Sequence, residues 1–296
     1  MAILNLAVAE WVFEGGGALA NESRTGPALA PEHSGGTHMA ETKTFVVDAP
    51  VWIDLSSTDP AGSRQFYSSL FGWTAEPEKD PAAGGYAIAK LNGKDVAGIG
   101  GTQDPSAPSA WMIYIGTRDA DELAKKIEAA GGKVVAPPFE VMEVGRMAVF
   151  QDPTGAFISA WQPSTMPGFQ VMRQSGAYSW SELNSRGIEK AKEFYREVFG
   201  WGEKVSPMGE GMGDYTEFKL GDESIAGGME MNPMVPKEVP SYWMAYFGVK
   251  DVDSAHKKAT GLGAKEMVPP SDFPGGRFSI LSDPQGAAFG LMSSDE

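Results

Sequence analysis

The chain repeats itself. Trp52-Ile53-Asp54-Leu55 returns as Trp180-Ser181-Glu182-Leu183, Phe66-Tyr67 as Phe194-Tyr195, and Phe71-Gly72-Trp73 as Phe199-Gly200-Trp201, all at an offset of 128. No insertion interrupts the 22 positions from Trp52 to Trp73. Further on, Trp111-Met112-Ile113-Tyr114 matches Trp243-Met244-Ala245-Tyr246, Pro137-Pro138 matches Pro269-Pro270, and Asp152-Pro153-Thr154-Gly155 matches Asp283-Pro284-Gln285-Gly286. A long fixed period means one folding unit, here of about 115 residues, used twice. The pattern predicts a first domain over residues 50–163, a linker over 164–176 and a second domain over 177–293. Residues 1–43 are rich in Gly, Ala, Ser and Pro and carry no sustained period, so they read as a leader, tag or flexible extension. Ala2 to Val12 is the one stretch there with the makings of a short apolar helix.

Each repeat divides again. Val51 to Ser57 has the composition of a strand, and Asp59 to Leu70 that of a helix, with Asp59 at the N-cap, Pro60 in the first turn and Gly72 just past the end. Phe66, Tyr67, Leu70 and Phe71 fall at helical spacing and form its buried face. Short strands follow near Tyr86 to Leu91 and Val96 to Ile99. A second module runs from a strand at Trp111 to Ile115 through a helix at Asp119 to Ala130, and closes with strands at Arg146 to Phe150 and Ala156 to Trp161. The second repeat follows the same plan, with helices near Gly187 to Val198 and Asp253 to Gly261. Strands followed by helices within each module predict an α+β fold.

Composition removes several classes of function. Thirty-nine acidic against 24 basic residues give a net charge of −15, which leaves no basic footprint for nucleic acid or an anionic membrane. The absence of cysteine excludes disulfides, iron–sulfur clusters and thiol nucleophiles. Of three histidines, His33 and His38 lie in the leader, so a catalytic triad or multi-histidine metal site has only His256 to draw on. His256, beside Lys257 and Lys258, reads as solvated. No run of about 18 apolar residues is present, and the opening stretch lacks a secretory n-region, so the expected location is cytoplasmic.

The strand, the Asp59 helix with Phe66-Tyr67 and Phe71-Gly72-Trp73, the late Gly-Arg strand and the Asp-Pro-x-Gly turn resemble the vicinal oxygen chelate superfamily of glyoxalases, bleomycin resistance proteins and extradiol dioxygenases. The resemblance covers nearly all of residues 50–293, twice over. It is closest in detail to tandem two-domain actinobacterial members described as glyoxalase-like or "hydroxylase" proteins. It implies tandem glyoxalase-like domains, each of two βαβββ modules forming a curved mixed sheet around a cup. Members with metal chemistry place His or Gln on the first strand of a module and Glu on the last. Here the first-strand positions fall on Trp52, Met112, Trp180 and Met244, and the Glu positions on Ser159 and Gly290, so no metal or other cofactor is expected.

Strand alternation then sends Trp52 and Asp54 into one cup and Trp180 and Glu182 into the other, joined by Met112, Tyr114, Ser159 and Trp161, and by Met244 and Tyr246. An aromatic, methionine-rich cup with few polar groups suits a flat apolar ligand. Asp54 and Glu182, beside apolar surroundings that would raise a carboxyl pKa, are the candidate acid–base residues for a lyase, isomerase or cofactor-free oxygenation step. A structural hydrogen bond explains them equally well. Arg146 and Arg277 are candidate partners for these acids or for an anionic ligand at the mouth, and Glu230 is a weaker ligand-binding candidate. The leading reading is a metal-independent binding protein or enzyme for an aromatic or polyketide-like metabolite, acting as monomer or homodimer. Its alternatives are a metal-dependent glyoxalase, lyase or dioxygenase, with Glu230 and Asp54 as unconventional ligands, and an interaction protein whose cup is filled.

Overall fold

The computed structural model describes residues 45–104, 106–208 and 213–294. The leader assigned to residues 1–43 lies outside them. The first repeat contains β1 (Pro50–Ser57), α1 (Pro60–Phe71), β2 (Ala87–Leu91), β3 (Lys94–Gly101), β4 (Ala110–Gly116), α2 (Ala120–Ala129), β5 (Lys133–Val141), β6 (Gly145–Gln151) and β7 (Phe157–Pro163). The second contains β8 (Tyr178–Ser185), α3 (Ile188–Phe199), β9 (Gly202–Pro207), β10 (Asp214–Leu220), β11 (Glu223–Glu230), β12 (Tyr242–Gly248), α4 (Val252–Gly261), β13 (Lys265–Phe273), β14 (Gly276–Ser282) and β15 (Ala288–Ser294).

The two modules of one repeat share a sheet. β1 lies antiparallel to β4, giving seven strands in the order β2-β3-β1-β4-β7-β6-β5. β8 and β12 do the same in an eight-stranded sheet, β13-β14-β15-β12-β8-β11-β10-β9. The extra strand is β9. Its counterpart in the first repeat is reduced to two bridges, Thr74 to Lys90 and Pro77 to Ala87, because Pro77 has no N–H to donate to a ladder. β5 and β13 carry the Pro137-Pro138 and Pro269-Pro270 pairs that hide them from a strand reading. Both are edge strands whose register shifts across the proline pair, where missing donors are tolerated.

The helices cover one face of each sheet, and these faces pack back to back, α1 beside α4 and α2 beside α3. Apolar side chains from both repeats merge into one core: Phe66 meets Phe289 at 5.9 Å and Trp111 meets Phe247 at 5.1 Å. Inside it lie two matching polar clamps. The Tyr67 hydroxyl accepts from Trp111 Nε1 at 2.9 Å and donates to Asp283 Oδ2 of the other repeat at 3.0 Å. The Tyr195 hydroxyl accepts from Trp243 Nε1 at 2.8 Å and donates to Asp152 Oδ2 at 3.0 Å. The other oxygen of each aspartate is held by its own Asp-Pro-x-Gly turn, Oδ1 of Asp283 accepting from the amides of Gln285 and Ala287. Trp73 and Trp201 add a reciprocal strap, donating to the carbonyls of Gly176 and Asp48, just ahead of the other repeat's first strand. No described helix is long and apolar enough to cross a membrane.

Both tyrosines are fully buried, so removing a hydroxyl strands an indole N–H and a carboxyl oxygen at once. Tyr67→Phe and Tyr195→Phe are each expected to lower stability by about 1–3 kcal/mol in urea unfolding. Losses below about 0.5 kcal/mol, typical of surface changes, would show that the clamps do not join the repeats.

Candidate functional site

The faces turned away from the helices form the two cups. Opposite residues of a ladder share a face, so the registers place the floor of cup 1: Trp52 opposite Tyr114, Asp54 opposite Met112 and beside Gly98, Tyr114 beside Ser159, and Met147 opposite Trp161. Cup 2 repeats this, with Trp180 opposite Tyr246, Glu182 opposite Met244 and beside Gly227, and Tyr246 beside Gly290. The structure thus brings together Trp52, Asp54, Met112, Tyr114, Ser159 and Trp161 in one cup and Trp180, Glu182, Met244 and Tyr246 in the other. Met112 and Met244 also border a crevice of about 100 Å³ at the junction of the repeats, with Trp111, Trp243 and Tyr242.

Each floor carries a matching pair of hydrogen bonds. In cup 1, Trp52 Nε1 donates to the Tyr86 hydroxyl at 3.2 Å and the Tyr114 hydroxyl donates to Asp54 Oδ2 at 2.8 Å. In cup 2, Trp180 Nε1 donates to the Tyr215 hydroxyl at 2.9 Å and the Tyr246 hydroxyl to Glu182 Oε1 at 3.1 Å. Tyr86 and Tyr215 escape a reading of the motifs, yet a signal was present: each lies twelve residues before a glycine, Gly98 or Gly227, that recurs at the same offset. That glycine is required, because a Cβ on either would overlap the phenol hydroxyl above it. The indole of Trp161 is tied down by the Met166 carbonyl, and Phe169 of the connecting segment wedges between Trp52 and Tyr178.

Burial pushes the Asp54 carboxyl up to about 7, against the opposing Tyr114 hydrogen bond. Burial likewise raises Glu182, opposed by hydrogen bonds from Tyr246, Tyr215 and Asn184. The phenols are driven upward by burial and by the neighbouring acids, so they remain protonated donors.

Three expectations are corrected. Arg146 lies on the helix-covered face, where Nη1 donates to Asp121 Oδ2 of α2 at 2.6 Å and Nε pairs with Glu140; Arg277 is held likewise by Asp253 and Asp272. Neither approaches the buried acids, because strand parity turns them away. Glu230 also faces the helices, where Oε2 accepts from the amides of Gly187 and Ile188 and caps α3. The first repeat makes the complementary choice: Asp59 caps α1 itself, and Gly101 stands at the Glu230 position. His256 is buried rather than solvated, its Nε2 lying 2.9 Å from Glu266 Oε2.

The donor set does not fit a divalent ion. An indole N–H only donates, a thioether is a poor partner for a hard cation, and Gly290 offers no side chain and is covered by the Tyr246 ring. Among the described residues, no group of three or more His, Asp or Glu side chains is placed to hold a metal.

Paired βαβββ modules around a cup, present twice, define the vicinal oxygen chelate class. The chain belongs to the Glyoxalase/Bleomycin resistance protein/Dioxygenase superfamily, whose profile matches residues 49–159 and 178–291. It is 37% identical over 268 residues to the anthracycline biosynthesis protein DnrV of Streptomyces peucetius, covering 85% of this chain and 95% of that one. It is also 37% identical over 260 residues to the putative glyoxylase CFP32 of Mycobacterium tuberculosis, covering 86% and 98%. Among solved structures, the 2,3-dioxygenase LapB from Pseudomonas sp. KL28 superposes with a TM-score of 0.61 at 16% identity, covering 86% and 94%. A Mn(II)-bound glyoxalase from Novosphingobium aromaticivorans gives 0.57 at 18%, covering 84% and 83%. These two likenesses speak to the fold alone.

The raised Asp54 carboxyl has a consequence for stability. The folded state binds this proton more tightly than the unfolded chain, whose midpoint is near 3.8, so this residue's contribution falls as pH rises from about 4 through 7. Asp54→Asn removes that dependence. Urea unfolding is expected to show the variant gaining on the wild type between about pH 5 and pH 8; parallel stabilities would show an ordinary, solvated carboxyl.

Proposed function

We propose that this is a metal-independent small-molecule protein of the superfamily, receiving an aromatic or polyketide-like metabolite on the open face of cup 1. One observation carries the reading: Asp54 is half-buried among apolar side chains, and its Oδ1 reaches the cup with no protein partner among the described residues. On the same face Tyr86, Met112, Met147 and Phe157 are all half-buried, an apolar surface on which a flat ring system can lie. The floor itself is filled, Trp52 being only 3% exposed. A ligand therefore rests on the floor rather than entering a deep cavity. The relative named for anthracycline biosynthesis supports a polycyclic aromatic ligand of this kind. A carboxyl that titrates near neutrality is the group placed to move a proton if the bound molecule is transformed, in a lyase, isomerase or cofactor-free oxygenation step.

The filled floor also favours a second reading, in which the protein only meets another macromolecule through its acidic exterior. One titration separates the two. Alizarin, a dihydroxyanthraquinone, is expected to quench the tryptophan fluorescence saturably with one site per chain, and Met112→Arg is expected to weaken that binding. The absence of saturable binding up to millimolar alizarin would favour the interaction protein.

A further inference from the structure

Resting on the reading of cup 1 as the ligand face, we propose that the two cups have diverged, and that Asp54 and Tyr86 form the anchor for a hydroxyl group of a flat aromatic ligand. In cup 2 the matching acid is more deeply buried and has a second side-chain donor, Asn184.

The cups differ in the acid itself and in the residue two positions after it. Glu182 Oε1 accepts from the Tyr246 hydroxyl at 3.1 Å and from Asn184 Nδ2 at 3.4 Å, and the residue is 9% exposed. In cup 1 the shorter Asp54 is met by Tyr114 alone, and Ser56 stands where Asn184 stands in the second repeat. Tyr86 accepts from Trp52 and donates to no described partner, so its proton remains available. Both groups flank Gly98: a Cβ on that residue would overlap the Tyr86 hydroxyl and lie 2.9 Å from Asp54 Cβ. The first cup therefore sets an unused donor and an unused acceptor side by side.

A hydroxyl is the group that satisfies both, accepting from Tyr86 and donating to Asp54 Oδ1. A methyl ether accepts but cannot donate. An anionic head group is disfavoured, because Asp54 repels it and Arg146 is turned to the opposite face. The ligand class is thus a flat aromatic molecule carrying at least one free hydroxyl.

Isothermal titration with alizarin and with its dimethyl ether tests this. The wild type is expected to prefer alizarin by about tenfold, the equivalent of one buried polar group left unpaired. Asp54→Asn and Tyr86→Phe are each expected to reduce that preference to near unity while retaining binding of the ether. Glu182→Gln and Tyr215→Phe, the matching changes in the second cup, should leave the preference intact and control for loss of the indole–phenol bond. Equal binding of the two probes by the wild type would overturn the anchor while leaving the apolar ligand face standing. Loss of the preference in Glu182→Gln but not in Asp54→Asn would overturn the assignment to cup 1. Binding of neither probe would remove the ligand face and the anchor together.

Discussion

The Tyr67–Asp283 and Tyr195–Asp152 contacts decide how the rest of the molecule is arranged. Each puts a phenol hydroxyl in the dry core, where an indole donates to it and a carboxyl oxygen of the other repeat accepts from it. Buried polar groups are costly unless paired, and here each repeat supplies what the other lacks. The backs of the two sheets are thereby held together, the apolar sides of the helices are covered, and both cups are left facing outward. The Asp-Pro-x-Gly turn, which in sequence looks like a plain turn, is the element that makes this reciprocity possible. One aspartate oxygen stabilises the turn and the other crosses the interface.

The same physical rule shapes the cups. Superfamily members with metal chemistry surround a divalent ion with imidazole, amide and carboxylate ligands in a polar hollow of the sheet. In this chain indole, phenol and thioether side chains occupy that hollow, and a single acid in each cup is kept by hydrogen bonds from protonated tyrosines. Burial raises both acids, but Glu182 is the more enclosed and accepts from Asn184 as well as Tyr246, whereas Asp54 accepts from Tyr114 alone. The asymmetry between them follows from the acid's length and from Ser56 standing where the second repeat has Asn184.

Much of this was legible in the chain. The constant offset from Trp52 to Trp73 gave the duplication, and strand parity brought Trp52, Asp54, Tyr114 and their counterparts into the cups. What escaped did so for identifiable reasons. The Pro137-Pro138 and Pro269-Pro270 pairs masked two edge strands, because proline argues against a strand unless its N–H would face away from any ladder. Tyr86 and Tyr215 lie in a stretch where the offset changes to 129, outside the aligned motifs. Arg146 and Glu230 were assigned by their chemistry rather than by parity, which sends both to the helix side. His256 was judged by its lysine neighbours in sequence, although one face of α4 is buried against β13.

The central claim is that hydrogen-bonded acids and aromatic rings stand in the cups where the superfamily's metal-using members carry their ligands. Calorimetric titration of the full chain with Mn(II), Ni(II) and Zn(II) tests it most directly. The account requires no stoichiometric binding to either cup. Tight binding of one ion per repeat, abolished by Asp54→Asn in one cup and Glu182→Gln in the other, would contradict it.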